Sequence, residues 1–279
     1  MTIQNQDSNN ESIAFIGGGN MASAIIGGLL KRGLPASQVQ VVEPFAEQRA
    51  KLTQQFQVAV SEAPSAALQR ASLIVWAVKP QTFKDAAKQG GPYTQAALHL
   101  SVAAGIRSDS IAAWLDTERV VRAMPNTPAL IGRGMTALFA RSAATPVDRL
   151  EVERVIQTTG DYLWLDQEEQ LDAVTALSGS GPAYVFYFIE AMIQAGTDMG
   201  LSREQAHKLA VGTFVGASAL AQSSDEPPET LRTRVTSKGG TTYAALISME
   251  QDGIKQRFMR GMHAARQRAR ELGDEFGAC

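Results

Sequence analysis

The sequence predicts an α/β fold in which a doubly wound parallel sheet is followed by an all-helical segment. Short apolar runs alternate with helical patterns from residue 12 to about residue 165. One of these runs, 73–78, is apolar on both faces, which is typical of a strand in a parallel sheet covered by helices. From residue 166 onward, only long helical patterns remain. We therefore expect two domains, 12–165 and 166–279, after a disordered polar tail at 1–11.

The individual elements follow in chain order from the spacing of their apolar residues. Strands are expected at 12–16, 39–42, 73–78, 98–102, 120–124, 135–140 and 162–165, separated by helical stretches that include 20–31 and 46–56. The second domain should contain helices at 182–199, 202–221, 241–250 and 253–276. Together these elements predict an N-terminal doubly wound sheet and a C-terminal all-α domain.

Several helices of the second domain are apolar around most of their circumference. Helix 206–220 is an example, and such a helix must be buried on all sides. A domain of this size cannot easily bury it alone, so we expect self-association through the C-terminal helices as a homodimer or a larger assembly. A compact monomeric bundle is the alternative.

Composition and charge exclude several classes of function. The 26 basic and 28 acidic side chains give a formal net charge of −2, which provides no electrostatic basis for binding nucleic acid or an anionic membrane. The single cysteine, Cys279, cannot form an intrachain disulfide, and residues 1–11 lack the features of a secretory signal, so a cytoplasmic location is expected. Helix candidate 183–195 contains Glu190 and is shorter than the roughly 20 apolar residues that span a bilayer. A small molecule is the expected partner.

A glycine-rich turn between the first strand and the first helix predicts a dinucleotide site. Gly17, Gly19 and Ala22 have the spacing that lets a backbone approach a pyrophosphate at a helix N-terminus. A turn needed only for packing would explain Gly17 but not all three positions. The sequence therefore predicts a Rossmann-type domain that binds NADPH or NADH. The contacts expected at this turn are Gly17, Gly18, Gly19, Asn20, Met21 and Ala22.

The end of the second strand bears on the choice between NADH and NADPH. Glu43 could hydrogen-bond both ribose hydroxyls of NADH and would repel the 2′-phosphate of NADPH. Arg49, in the next helix, could instead pair with that phosphate. Glu43 could also be a solvated residue without a role at the site. The cofactor choice therefore stays open between NADPH and NADH.

Further cofactor contacts are expected where other strands end, because open α/β sheets bind ligands at the carboxyl ends of their strands. Val78, Lys79 and Pro80 follow one strand, and the small residue Ala104 follows the next. Lys79 could equally be an exposed loop lysine.

Four clusters of residues resemble the pyrroline-5-carboxylate reductase family. They are Gly17-Gly-Gly-Asn-Met-Ala22, Met124-Pro-Asn-Thr-Pro128, Ala176-Leu-Ser-Gly-Ser-Gly-Pro-Ala-Tyr184 and Val235-Thr-Ser-Lys-Gly-Gly-Thr-Thr242. The resemblance implies hydride transfer from NAD(P)H to the C=N bond of L-1-pyrroline-5-carboxylate, giving L-proline in the last step of proline biosynthesis. It also implies a helical dimerisation domain and an active site shared between subunits.

The last cluster can hold the substrate. Residues 237–242 form a glycine-containing loop that runs into a helix, so the N–H groups of Gly240, Thr241 and Thr242 are expected to be free to bind the substrate carboxylate. Thr242 resembles the family residue that hydrogen-bonds the ring nitrogen, and it is the expected catalytic residue. Plain N-capping would explain one residue of this cluster but not all of them. The expected substrate contacts are Ser237, Gly239, Gly240, Thr241, Asp225 and Ser180.

The second cluster supplies further candidates, since Pro125 and Asn126 are expected cofactor contacts in the wall of the hydride-transfer pocket. Hydride attacks an imine carbon most easily when the nitrogen is protonated, and the substrate can arrive as the iminium ion. A dedicated acid is then dispensable, and catalysis would depend mainly on orientation.

The three histidines, His99, His207 and His263, lack metal-ligand spacing, so we expect them to be structural or surface residues and expect no metal.

The sequence departs from the family pattern at three positions. Many members have proline where this chain has Lys238, so the substrate loop could be more mobile or gain a positive charge. Glu43 replaces small or polar residues of relatives that favour NADPH. Asp225 only loosely matches an acidic residue that reaches the substrate pocket across the dimer in some relatives.

Two other functions share part of this pattern. A β-hydroxyacid dehydrogenase would have the same glycine turn, but it needs a catalytic lysine on its long interdomain helix, and 182–199 contains none. A dinucleotide-binding sensor without turnover would keep the glycine turn but would not need residues 237–242.

Overall fold

The computed structural model describes residues 12–277, so the tail expected at 1–11 and Cys279 lie outside the described residues. The chain divides into two compact units, the first formed by residues 12–180 with 265–277 and the second by residues 181–264. This division lies later in the chain than residue 165, because Glu168 forms an ion pair with Arg122 of the sheet at 2.6 Å. The end of the chain also belongs to the first unit, where Asp274 pairs with Arg107.

The first unit is built on one eight-stranded sheet. Its strands are β1 (Ile13–Ile16), β2 (Val39–Val42), β3 (Ala59–Ser61), β4 (Leu73–Trp76), β5 (Leu98–Ser101), β6 (Val120–Met124), β7 (Gly134–Ala140) and β8 (Gly160–Trp164). They are ordered β3-β2-β1-β4-β5-β6-β7-β8. Neighbouring strands pair in parallel except β6 and β7, which pair antiparallel. The predicted doubly wound fold is confirmed.

Helices account for most of the remaining regular structure. The first unit contains α1 (Asn20–Lys31), α2 (Ala46–Phe56), α3 (Pro80–Gly90), α4 (Ser108–Leu115), α5 (Pro146–Ile156) and α6 (Gln170–Val174), and the second begins with α7 (Gly181–Asp198), α8 (Arg203–Gln222), α9 (Pro228–Arg234) and α10 (Thr241–Gln251). Helix α11 (Ile254–Gly277) starts in the second unit and ends in the first. Across residues 12–277, none of the helices has the length and apolar character needed to cross a lipid bilayer.

Two strands differ from the sequence prediction, whereas the other predicted elements are confirmed to within a few residues at their ends. Strand β3 was not predicted, because it is short and two of its three side chains are exposed. The antiparallel direction of β7 was not predicted either. The segment between β6 and β7 carries Pro125 and Pro128 and only one 3₁₀ turn, Thr127–Ile131. It is too short for the crossover of roughly a dozen residues that a parallel strand needs.

The core of the first unit lies on both faces of the sheet. In β1, Ile13 and Phe15 join one buried cluster, and Ala14 and Ile16 join the other. Strand β4 alternates in the same way, with all four residues buried. The continuous apolar runs therefore reflect strands that are covered by helices on both sides.

His99 is buried in β5 beside Trp76 of β4. The Trp76 Nε1–H group can only donate, and it lies 3.0 Å from His99 Nδ1. Nδ1 is therefore the acceptor, and Nε2 carries the proton and donates to the Thr94 carbonyl at 3.1 Å. Burial lowers the pKa of His99 from 6.5 to about 4, and the Arg119 charge adds to this effect. His207 and His263 are exposed, so the interpretation of the histidines as structural or surface residues is confirmed.

The low pKa of His99 predicts a loss of stability in mild acid. The unfolded chain binds a proton near pH 6.5 and the folded chain only near pH 4, so the free energy of unfolding falls as the pH drops through this window. Between pH 7 and pH 5 the wild type should lose about 2 kcal/mol more than His99→Gln, which cannot titrate. Urea unfolding at both pH values measures the difference. Equal losses in the two proteins would show that His99 does not titrate in this way.

The second unit has a small core. In residues 181–264 the buried hydrophobic residues are Ile193, Ala206 and Ala210, where α7 and α8 pack together. Many larger apolar side chains are exposed, among them Phe186, Tyr187, Leu209, Val215 and Leu220. Apolar surface on this scale is characteristic of an interaction site. The exposure agrees with the expectation that one chain alone does not cover these helices.

Candidate active site

The turn after β1 contains three glycines, and the structural requirement for glycine differs among the three positions. Gly17 has φ +95°, and a Cβ there would lie 2.6 Å from the Ala77 carbonyl oxygen of the neighbouring strand segment. At Gly18 an added Cβ would lie 2.5 Å from Leu52 Cδ1. Gly19 has φ −70°, which any residue can adopt, and an added Cβ would have no atom within 4 Å. Neither conformation nor packing requires glycine at 19, so open space remains there for a ligand.

The N-terminus of α1 opens onto this space. Gly19 is the N-cap, its position has no side-chain cap, and the first turn carries no acidic residue. The first bond of the helix runs from Ser23 N–H to the Gly19 carbonyl. Within residues 12–277, the N–H groups of Asn20, Met21 and Ala22 therefore have no backbone acceptor. Three free donors and the positive end of a helix dipole suit a pyrophosphate, so the residues present fit a dinucleotide.

Glu43 supports the glycine turn from the end of β2. Its side chain is buried, with 6% exposure. Oε2 accepts a hydrogen bond from Gly18 N–H at 2.8 Å, and Oε1 accepts one from Phe45 N–H at 3.0 Å. The interpretation of Glu43 as a solvated strand-end residue is therefore wrong. Gln48 also donates to the Gly18 carbonyl, at 2.6 Å. This contact was not predicted, because nothing in the sequence distinguishes Gln48 from the other polar residues of α2.

Arg49 is held by the backbone around Glu43. Its Nη1 donates to the carbonyl oxygens of Glu43, at 2.9 Å, and Pro44, at 2.7 Å. Its Nη2 contacts Glu62 Oε2 at 3.3 Å. These contacts use three of the five N–H donors of the guanidinium, so two donors remain for the pairing with a 2′-phosphate that one interpretation of the sequence allows.

The segments after β4 and β5 lie at the same edge of the sheet as the glycine turn, because the strands are parallel. Val78 borders the turn, since its Cγ1 would lie 3.0 Å from a Cβ at Gly17. Lys79 is the exposed N-cap of α3, and Pro80 is its first residue. Ala104 lies in the turn after β5, next to Gly105 with φ +71°.

The structure brings the second and third sequence clusters together within the first unit. Asn126 Nδ2 donates to the Ser178 carbonyl at 3.3 Å and to its hydroxyl at 3.2 Å, while Asn126 Oδ1 accepts from Met135 N–H at 2.9 Å. A Cβ at Gly179 would meet the flexible end of Met124. Asn126 thus links three segments, and the sequence did not reveal this linking role. Pro125, beside it, is buried.

The third cluster contains an unusual backbone. Residues Thr175–Gly179 form a π-helical turn, and Ser180 N–H donates to the Thr175 carbonyl at 2.8 Å. Such turns are frequent at functional sites. Ser180 directly follows this turn in the chain and precedes the first residue of α7.

The fourth cluster, in the second unit, forms a tight turn ahead of α10. Gly240 N–H donates to the Ser237 carbonyl at 3.0 Å, so the expectation of a free N–H at Gly240 is wrong. Gly239 has φ +75°, and Lys238 is not among the residues with positive φ. An i to i+3 bond with a positive φ only at the third residue defines a type II turn. Lys238 occupies the second position of this turn, which favours proline.

Proline should therefore be tolerated at position 238. We expect Lys238→Pro to raise the free energy of unfolding by about 0.5 kcal/mol, because proline restricts the unfolded chain and fits this position of the turn. Urea unfolding measures the change, with Lys238→Ala as the control for the lost charge. A Lys238→Pro protein less stable than Lys238→Ala would show that the turn is not of type II.

The start of α10 keeps free donors for an anion. Gly240 is the N-cap, without a side-chain cap and without an acidic residue in the first turn. In the part of the chain that the structure describes, the N–H groups of Thr241 and Thr242 have no backbone acceptor. Ser237, Thr241 and Thr242 are exposed. Asp225, also exposed, lies in the loop between α8 and α9, and no contact joins it to this turn among the hydrogen bonds of the described residues.

Family models of known proteins match both the N-terminal and the C-terminal part of the chain. The family model for pyrroline-5-carboxylate reductase dimerisation matches residues 168–272, and the model for coenzyme F420-dependent NADP oxidoreductase matches residues 12–105. A pyrroline-5-carboxylate reductase of Pseudomonas aeruginosa is 44% identical over 267 residues, covering 95% of this chain and 98% of the relative.

Two solved structures extend the similarity to the fold. A pyrroline-5-carboxylate reductase from Coxiella burnetii superposes with a TM-score of 0.87 at 33% identity, covering 95% of this chain and 99% of the other. A pyrroline carboxylate reductase from Plasmodium falciparum, solved with NADP bound, has a TM-score of 0.86 at 28% identity and covers 96% of this chain and 100% of the other.

Proposed function

The chain belongs to the pyrroline-5-carboxylate reductase family, and from this membership we propose that it reduces L-1-pyrroline-5-carboxylate to L-proline. The reaction consumes NAD(P)H and one proton for each C=N bond reduced. The chain is thus an NAD(P)H-dependent oxidoreductase that acts on an imine, and it catalyses the last step of proline biosynthesis.

The observation that carries the proposal is the turn of residues 237–242 at the start of α10. A dinucleotide site alone would serve many oxidoreductases and also a sensor. The turn adds two free backbone donors, at Thr241 and Thr242, beside a threonine hydroxyl in a segment without acidic side chains. This combination suits a small anionic substrate that carries a second polar atom near its carboxylate.

We propose that this turn holds the substrate by its carboxylate. The N–H groups of Thr241 and Thr242 donate to the carboxylate, and the dipole of α10 favours its charge. Ser237 and Gly239 form the turn. Gly240 ends the turn as the N-cap of α10, and its N–H already donates to the Ser237 carbonyl. Ser180 and Asp225 are further proposed substrate contacts.

Thr242 fixes the ring nitrogen in this proposal. The substrate arrives with a protonated nitrogen, whose N–H donates to Thr242 Oγ1, and the carboxylate and nitrogen contacts together set the orientation of ring carbon C5. When bound, NAD(P)H supplies the hydride that C5 receives. The C=N bond becomes a C–N single bond, the nitrogen keeps its proton, and proline takes up another from solvent. No acid from the protein is required in this step.

The dinucleotide is proposed to lie along the carboxyl edge of the sheet. The free N–H groups of Asn20, Met21 and Ala22, beside the open space at Gly19, would hold its pyrophosphate. Val78, Lys79, Pro80, Ala104, Pro125 and Asn126 are the proposed contacts along the rest of the edge.

The chain associates with itself, since its C-terminal part matches a dimerisation family. We propose a homodimer or larger assembly formed through the helices of residues 181–264, whose exposed apolar side chains support this role. We also propose a cytoplasmic location, because the sequence has a single cysteine and needs no oxidising compartment.

The proposed reaction is tested by mixing the purified protein with pyrroline-5-carboxylate and following the absorbance of NADH or NADPH, with proline identified by chromatography. Loss of absorbance with stoichiometric proline is the expected result. Oxidation of neither dinucleotide would contradict the proposed activity.

A further inference from the structure

We propose that Glu43 makes this protein prefer NADH to NADPH by occupying the position that a 2′-phosphate would need. The inference rests on the proposed function, because it assigns the dinucleotide that the proposed reductase uses. One relative was solved with NADP bound, so the preference has to be derived from this chain's own residues.

The Glu43 carboxylate is fixed in place and still has acceptor capacity. Its two oxygens accept one backbone N–H each, from Gly18 at 2.8 Å and from Phe45 at 3.0 Å. A carboxylate has about four acceptor positions, so about two remain. This number matches the two hydroxyls of an adenosine ribose, O2′–H and O3′–H. The contact with Gly18 also fixes the distance between the carboxylate and the turn proposed to bind the pyrophosphate.

A 2′-phosphate would meet this carboxylate as a like charge. Glu43 is 6% exposed, so little water reaches it to screen the repulsion. Its bonds to Gly18 and Phe45 hold it to the turn, and a rotation away from the phosphate would leave two backbone N–H groups without acceptors. Moving the carboxylate away from the 2′-phosphate of NADPH would therefore cost free energy.

Each of the two cations in this part of the chain has an acidic partner. Residues 43–62 contain three acidic side chains and two basic ones, Arg49 and Lys51. Arg49 is bonded to two carbonyls and to Glu62, and Lys51 pairs with Glu47 at 2.8 Å. The segment that follows β2 thus has an excess of negative charge, and each of its two basic side chains is paired with a carboxylate.

The test measures dinucleotide binding without any imine. Titration calorimetry of the purified protein gives Kd for NADH and for NADPH, in the wild type, in Glu43→Gln and in Glu47→Gln. Glu47→Gln is the matched control, because it removes the same charge from the first turn of α2 at a side chain that is 84% exposed and paired with Lys51. A second comparison, of 5′-AMP with adenosine 2′,5′-bisphosphate as competitors of NADH, needs only the wild type.

We expect the wild type to bind NADH at least tenfold more tightly than NADPH, because the repulsion between two like charges about 4 Å apart at a partly desolvated site exceeds the free energy of a tenfold change in Kd. Glu43→Gln should bring the two Kd values to within about threefold, whereas Glu47→Gln should keep the wild-type ratio. 5′-AMP should compete better than the bisphosphate. Tighter binding of NADPH by the wild type, or an unchanged ratio in folded Glu43→Gln, would overturn the inference.

The outcome for Glu43 is separate from the outcome for the reaction. Preferential NADH binding without oxidation by pyrroline-5-carboxylate would defeat the proposed function and leave the specificity of the dinucleotide site standing. Oxidation with NADPH bound more tightly would do the reverse, and a loss of NADPH affinity in Arg49→Met would then assign the phosphate to Arg49.

Discussion

Replacing Gly19 with valine should nearly abolish dinucleotide binding without unfolding the protein. Apart from the adjoining backbone and the neighbouring residues, no atom of the described chain lies within 4 Å of a Cβ at this position, and its φ of −70° is open to any residue. The valine side chain would instead fill the space proposed for the pyrophosphate. We expect Kd for NADH to rise roughly 100-fold, because the added side chain would overlap the bound pyrophosphate, and overpacking typically costs this much. Calorimetry measures Kd, and urea unfolding should show a change below about 1 kcal/mol, the effect of a poorer N-cap residue.

Gly17→Ala is the contrasting variant, because its added methyl group would collide with the protein's own backbone and not with a ligand. The added Cβ would lie 2.6 Å from the Ala77 carbonyl oxygen, at a residue with φ +95°. Stability should fall by about 3 kcal/mol, through backbone strain and overlap together. If Gly19→Val lost as much stability as Gly17→Ala, or kept its affinity for NADH, the space beside Gly19 would not be the pyrophosphate site.

Thr242→Ala should lower kcat/KM for the imine about 100-fold while leaving dinucleotide binding unchanged. The substitution removes the hydroxyl proposed to fix the ring nitrogen, and a misplacement of the reacting atoms by about 1 Å can cost this much. Thr242 is exposed at the second residue of α10, and its side chain forms no hydrogen bond to other described residues. The fold should therefore tolerate alanine there. Initial rates at varied imine concentration and calorimetry with NADH measure the two effects.

Thr242→Ser is the matched control because it keeps the hydroxyl and removes only a methyl group. It should retain kcat/KM to within about threefold of the wild type. If serine and alanine variants were equally impaired, the methyl group or the helix start would matter rather than the hydroxyl. Wild-type activity in Thr242→Ala would remove Thr242 from the mechanism.

Much of the fold could be predicted because its signals are local. The apolar runs of β1 and β4 and the glycine turn that starts α1 are each specified by a few neighbouring residues. Strand β3 could not be predicted from so few residues with mostly exposed side chains. The return of α11 to the first unit depends on contacts between distant residues, such as Arg107 with Asp274, and Ser110 with the Gly277 carbonyl. No local pattern encodes such pairings.

The candidate site was predicted less completely than the fold. Its residue types followed from motifs, but hydrogen-bond partners did not. Glu43 could be a ribose ligand or a solvated residue on sequence grounds, and only the structure shows that it supports Gly18. The N–H of Gly240 was expected to be free, yet the turn with Gly239 at φ +75° directs it to Ser237. Such details depend on backbone angles and side-chain rotamers that composition and spacing do not specify.

Hydride transfer from the dinucleotide to the imine carbon can be followed with an isotope label. The protein is given pyrroline-5-carboxylate and NADH deuterated at C4 on each face in turn, and the proline formed is examined by mass spectrometry and NMR. One labelled form should yield L-proline with a single deuterium at C5, and the other should yield unlabelled proline. Proline without deuterium from both forms, or dinucleotide oxidation without proline, would show that the protein does not transfer hydride to C5 of the imine.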